Sequence, residues 1–236
     1  MSFNLTWIGQ GGFILQIEDK KLCIDPYLSN SVFHLDGFQR VCEVPILPED
    51  LDVDVIVCTH DHIDHLDEDS LKYTDMEHIF YVGPSTCQRH FKAFEVHDNR
   101  ILPLNRGEEI SIGDSANVIG VYADHTEDSI GIIVKYKGIT LYFVGDSLYS
   151  EKLKDVKSFK PDILITCING KLGNMDYSEA AKLATELHVK TAVPCHYGMF
   201  AENTEDPKNF KRALKGSSVK YFELEFNKEY PIEDMI

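Results

Sequence analysis

Three histidines and three aspartates crowd the nine residues Thr59-His60-Asp61-His62-Ile63-Asp64-His65-Leu66-Asp67. Within them His60, His62, Asp64 and His65 form the pattern H-x-H-x-D-H. Neutral imidazole and carboxylate are ligands for zinc, manganese or iron, and a cluster this dense has donors enough for two ions. The bland alternative is a solvated turn rich in His and Asp. The pattern arises by chance on the order of once in a thousand chains of this composition, which favours the metal.

Ligands need a rigid platform. Val53–Cys58, just before the run, is apolar and β-branched and reads as a buried strand. Three more sites repeat that arrangement. His125 follows a strand at Asn117–Tyr122, Asp146 follows one at Leu141–Val144, and His196 follows one at Thr191–Val193. Each alone is weak, since Gly145-Asp146-Ser147 is an ordinary turn and a lone loop histidine is commonly structural. Together they are how a sheet scaffold builds one site from several strand ends. His34, His78, His90, His97 and His188 lack such placement and read as structural or surface residues.

The elements that carry these residues come in two halves. Strands are expected at Phe3–Ile8, Phe13–Ile17 and Leu22–Ile24, with a glycine-rich turn at residues 9–12. Residues 26–50 have little periodicity and read as a long loop, either a lid or a surface excursion. A short helix capped by Asp67 follows, then a strand at Ile79–Val82 and a helix from Pro84 to Ala93. The second half has strands at Glu109–Ile112, Asn117–Tyr122, Ile130–Tyr136 and Ile139–Val144, with a hairpin turn at Lys137-Gly138. Helices at Glu151–Lys157, Ser178–Leu187 and Pro207–Leu214 then alternate with strands at Ile163–Thr166, Thr191–Val193 and Val219–Phe222. Two mixed sheets packed face to face, with helices on both outer sides, account for this α/β (α+β) order.

At 236 residues and 43% hydrophobic, the chain can bury one large core, and residues 1–236 are expected to form a single domain. Lys and Arg number 23 against 39 Asp and Glu, a formal charge of −16. So acidic a surface argues against nucleic acid and anionic membrane as partners. An anionic small molecule stays compatible, because divalent cations would offset charge inside the site. No signal peptide or membrane span is legible. Six scattered cysteines without C-x-x-C read as reduced thiols, so a cytoplasmic location is expected. A homo-oligomer is compatible with the sequence.

The residues His60, His62, Asp64, His65, His125, Asp146 and His196, with an early Asp25, resemble the metallo-β-lactamase superfamily in order and kind. The resemblance runs from about Trp7 to Phe210. Within it, Tyr81–Cys87, Gly145–Ser150 and Pro194–Tyr197 are most similar to the L-ascorbate-6-phosphate lactonase branch. The resemblance implies a four-layer αββα sandwich. It implies one metal on His60, His62 and His125, and a second on Asp64, His65 and His196, with Asp146 bridging. Asp64 and His196 would be the catalytic members. The ions would be Mn2+ or Zn2+, with Fe also suited, and would activate a shared water for hydrolysis.

Asp25 and Thr59 are candidates to orient the imidazoles. Arg40, Asn169, Lys171 and Tyr197 are candidates for substrate binding. The expected activity is metal-dependent hydrolysis, with L-ascorbate 6-phosphate or a related sugar-acid lactone as substrate. A phosphodiesterase of the same fold and a non-catalytic metal-binding regulator are the alternatives.

Overall fold

The computed structural model describes residues 2–236. Its strands are β1 (Phe3–Gly9), β2 (Gly12–Ile17), β3 (Lys20–Ile24), β4 (Val55–Val57), β5 (Phe80–Gly83), β6 (Ile101–Pro103) and β7 (Glu109–Ile112). They continue with β8 (Ala116–Tyr122), β9 (Ile130–Tyr136), β10 (Ile139–Phe143), β11 (Ile163–Cys167), β12 (Thr191–Cys195), β13 (Lys220–Tyr221) and β14 (Glu229–Pro231). The α-helices are α1 (Ser31–Asp36), α2 (Glu68–Leu71), α3 (Ser85–Ala93), α4 (Tyr177–Leu187) and α5 (Pro207–Ala213).

Two seven-stranded sheets form, in the orders β14-β1-β2-β3-β4-β5-β6 and β13-β12-β11-β10-β9-β8-β7. Starting from β14 in one and β7 in the other, each has three antiparallel pairings followed by three parallel ones. The two similar halves expected from sequence are therefore two sheets of one pattern. In β1, Phe3, Leu5 and Trp7 are buried while Asn4 and Thr6 are partly exposed, the alternation of a strand with one core face. In β11 every residue is buried, as befits a strand covered on both faces. The β9–β10 turn places Lys137 and Gly138 both at positive φ, the type I′ geometry that matches strand twist.

The main core lies between the sheets, where Phe13, Leu15 and Val57 share a cluster with Val118, Ile132, Phe143 and Ile165. The Phe13 and Phe143 rings meet edge-on at 5.4 Å. Outside the first sheet, Cys87 and Phe91 of α3 pack with Ile56, Leu71 and Tyr81. Outside the second, Ala180, Leu183 and Ala184 of α4 and Phe210 of α5 pack with Tyr142, Leu164 and Ala192. This is the four-layer αββα sandwich that the sequence led one to expect.

Some local expectations are corrected. Residues 26–50 hold α1 and are not bare loop. The segment expected to be a helix at Glu151–Lys157 is a 3-10 helix over Glu151–Phe159. Asp67 precedes α2 but makes no side-chain cap. Its carboxylate instead accepts from the Leu28 N–H and from the Ser29, Ser31 and Ser70 hydroxyls, so it ties down the start of the long loop. All six cysteines are free, and all but Cys42 are buried. Among the described residues, no helix is long and apolar enough to cross a membrane.

Candidate metal centre

The strands β1, β3, β4, β8, β10 and β12 all deliver site residues just past their C-terminal ends. Gln10 follows β1, Asp25 follows β3, and residues 60–65 follow β4. His125 follows β8, Asp146 follows β10, and His196 follows β12. Backbone hydrogen bonds lock these ends together across the two sheets. The Ile130 N–H donates to Thr59 O at 3.0 Å, and the His196 N–H to Gln10 O at 3.0 Å. Gln10, Asp25 and His196 all have left-handed φ, at 50°, 44° and 60°. Such residues concentrate where a site dictates backbone direction.

All seven ligand candidates come together. His60, His62 and His125 form one group, Asp64, His65 and His196 another, and His60, His65 and Asp146 a third that joins them. Within each group, ligand atoms lie within 4.8 Å of one another. Asp146 reaches both sides: its Oδ1 is 3.3 Å from His65 Nε2, and its Oδ2 is 3.1 Å from His196 Nε2 and 3.9 Å from His125 Nε2.

Hydrogen bonds decide which ring nitrogens face inward. His125 Nδ1 lies 3.0 Å from Gly173 O, so it must donate there, which leaves Nε2 as an acceptor. His65 Nδ1 donates to Asp25 Oδ2 at 2.7 Å. The Thr59 hydroxyl also donates to Asp25 Oδ2, at 2.7 Å, and so accepts from His60 Nδ1 at 3.1 Å. The Nε2 atoms of His60 and His65 and the Oδ1 of Asp146 are buried and have no hydrogen-bond partner. Buried polar atoms are rarely left so, and these converge on one another, as the donor set of a divalent cation does. The residues fit a metal centre.

A family model described as the β-lactamase superfamily domain matches residues 20–197, a span that contains all seven ligand candidates. The chain belongs to the metallo-β-lactamase superfamily. A UPF0173 metal-dependent hydrolase of Methanosarcina barkeri is 27% identical over 230 residues, covering 90% of each chain. Among solved structures, a metallo hydrolase from the archaeon Ignicoccus hospitalis has a TM-score of 0.75 at 19% identity, covering 98% of this chain and 99% of that one. An isothiocyanate hydrolase from Delia radicum gut bacteria has a TM-score of 0.78 at 18% identity, covering 96% and 98%.

The electrostatics of this superfamily member's centre call for positive charge. Burial works against ionisation of Asp146, but His196 and His65 outweigh it and hold its carboxyl well below the usual range. Asp64 is likewise lowered, by His65 and by its contact with His196. In return, and against burial, Asp146 leads the groups that raise His65 well above an ordinary imidazole and His196 to about 9. His60 goes the other way, lowered by burial and then by His65.

The contacts of the four substrate-binding candidates are with loops and rings beside the ligand candidates. Arg40 Nη1 donates to Ser29 O at 2.9 Å, and its guanidinium lies over the Tyr27 ring. Lys171 Nζ donates to Glu202 O at 2.9 Å, and Asn169 Nδ2 to Asn203 Oδ1 at 2.7 Å. These contacts brace loops, while Arg40 Nε and Nη2 and Asn169 Oδ1 are buried without a partner. The Tyr197 ring packs on Trp7 with centroids 4.9 Å apart. Two amides touch the site: one, Asn174, lies in the segment after β11 that the sequence places at the pocket edge, and the other, Gln10, sequence reasoning missed. Asn174 Nδ2 donates to Asp146 Oδ2 at 2.8 Å, and Gln10 Nε2 to Asp64 Oδ2 at 2.7 Å. Gln10 carries no ligand signature; only its position after a strand could have drawn attention.

Proposed function

We propose that this protein is a metal-dependent hydrolase that opens a small, anionic lactone, with L-ascorbate 6-phosphate or a related sugar-acid lactone as the substrate class. The observation that carries the hydrolase reading is the pair of three-residue donor groups joined by Asp146, with buried Nε2 atoms on His60 and His65 that no protein donor satisfies. The M. barkeri relative's designation as a metal-dependent hydrolase agrees with it. The lactone rests on the likeness of Tyr81–Cys87, Gly145–Ser150 and Pro194–Tyr197 to the ascorbate-6-phosphate lactonases.

His60, His62 and His125 would hold one ion, Asp64, His65 and His196 a second, and Asp146 would serve both. Mn2+ or Zn2+ suits these donors. When bound, such ions lower the pKa of water toward neutrality and act as Lewis acids toward a carbonyl. The protein's own part is positional. His62 is exposed while His60 and His65 are buried, so the centre opens to solvent on the His62 side. Asp64 is the more accessible of the two carboxylates, 18% exposed against 7% for Asp146, and is placed to orient the attacking water. His196 spaces Asp64 from Asp146, with Nε2 3.5 Å from one and 3.1 Å from the other. Two dications against two carboxylates leave a net charge near +2, which favours an anionic substrate and a leaving alkoxide.

The test is hydrolysis of L-ascorbate 6-phosphate by metal-stripped protein before and after adding Mn2+ or Zn2+, followed by ultraviolet absorbance and NMR. Metal-dependent ring opening is expected. No turnover by protein with metal demonstrably bound would remove this substrate and direct the search to other lactones and to phosphodiesters.

A further inference from the structure

Gln10 is fully buried and precedes the region that the superfamily model matches. It touches the centre in three ways. Its Nε2 donates to Asp64 Oδ2 at 2.7 Å, the same Nε2 is 3.2 Å from His196 Nε2, and its backbone carbonyl accepts the His196 N–H at 3.0 Å. Both partners belong to the Asp64, His65, His196 group. The Trp7 indole N–H donates to the same carbonyl at 3.1 Å, which anchors the turn. The amide oxygen Oε1 is buried without a partner. A protein tolerates such an atom where function fixes the side chain.

Resting on the metal-centre reading above, we propose that Gln10 is a positioning residue for the second ion alone. It holds Asp64 and His196 at the spacing that this ion requires. Among the described residues, the His60, His62, His125 group makes no hydrogen bond to it. The amide chemistry suits the task. A lysine there would compete with the cation for Asp64, whereas a neutral N–H donor orients the carboxylate and leaves its charge for the metal. The turn meets this group because its Gln10 carbonyl pairs with the His196 N–H at the end of β12 while the side chain reaches Asp64.

The experiment is calorimetric titration of Zn2+ into metal-stripped protein carrying Gln10→Met, which keeps volume and removes the donor. It is run in three backgrounds: wild type, His125→Ala to disable the first group, and Asp64→Ala to disable the second. The expected result is two binding events in wild type, one of which Gln10→Met weakens by about 10- to 100-fold. The same loss is expected in the His125→Ala background, with less than about a threefold change in the Asp64→Ala background, where the partner is already gone. Gln10→Asn, which withdraws the amide by one methylene, gives the same selective loss should the Met variant not fold. Unchanged affinity at both events overturns the role of Gln10 alone. Equal weakening in both backgrounds also overturns it, since that marks a general structural effect. A wild-type protein that binds no Zn2+ overturns the metal-centre reading together with this one.

Discussion

Asp25 grips Thr59 with both carboxylate oxygens: Oδ1 accepts the Thr59 backbone N–H at 2.7 Å and Oδ2 its hydroxyl at 2.7 Å. The same Oδ2 accepts His65 Nδ1, and Thr59 passes the contact on to His60 Nδ1. One buried carboxylate thus sets the tautomers of His60, from the His60, His62, His125 group, and of His65, from the Asp64, His65, His196 group. Asp25→Ala would leave buried donors unpaired, a cost of about 1–3 kcal/mol. Urea denaturation should show that loss, and metal titration should show about 10- to 100-fold weaker binding. Full metal affinity in a destabilised variant would separate the two roles and refute the second.

His62 is expected to be the most separable ligand. It is exposed, and its one side-chain hydrogen bond runs between its Nδ1 and His125 Nε2 at 3.0 Å. His62→Ala should therefore abolish metal-dependent hydrolysis while changing unfolding free energy in the metal-free state by less than about 0.5 kcal/mol. Added metal should raise Tm in wild type, by ligand linkage, and less in the variant. Hydrolysis by the variant at the wild-type rate would sink the assignment.

The sequence made most of this site legible because ligands sit in strong local patterns. The H-x-H-x-D-H run and three His or Asp residues just past β8, β10 and β12 are visible without any contact information. What stayed hidden depends on tertiary partners. The three-residue edge strands β6 and β14 are too short for a period-two signal. Asp67 has the sequence of a helix cap, yet its carboxylate is claimed by Leu28 and three serines, from a loop about 40 residues away and from α2. Arg40 and Lys171 have the charge that anion binding needs, but a sequence does not show that each also donates to a loop carbonyl. Gln10 in a glycine-rich turn gave no chemical signal at all.

That turn supports a further expectation. Gly11 packs so close to the centre that a Cβ on it would lie 2.8 Å from His65 Cε1 and 3.2 Å from its Nδ1. Its φ is not in the left-handed region, so alanine adds atoms without backbone strain. Gly11→Ala should push the His65 ring away from Asp25 and Asp146. Overpacking of this kind costs about 1–3 kcal/mol. Metal affinity should fall in the Asp64, His65, His196 group in particular. A crystal structure with the ring unmoved, or unaltered Zn2+ binding, would refute the close-packing argument.

Asp176 links stability to pH outside the metal centre. It caps α4, accepting the Ser178 and Glu179 N–H groups at 2.7 and 2.9 Å, while Glu179 accepts the Asp176 N–H at 3.0 Å. Burial pushes its carboxyl up, but the hydrogen bonds from Ser178 and Glu179 prevail and hold it below the usual carboxylate range. A depressed folded pKa means that the charged cap stabilises fully above the unfolded value of about 3.9 and loses this as pH falls through the folded pKa. Asp176→Ala should therefore cost about 1 kcal/mol at pH 7, typical of a lost cap, and less at pH 3. Asp176→Asn keeps a capping oxygen, so its smaller deficit at pH 7 should also shrink toward pH 3. The cap matters to the centre because residues 173 and 174, immediately before it, supply the His125 and Asp146 contacts. Urea midpoints at pH 7, 5 and 3 measure the effect, and an Asp176→Ala deficit that stays constant across them would show that the charge contributes nothing.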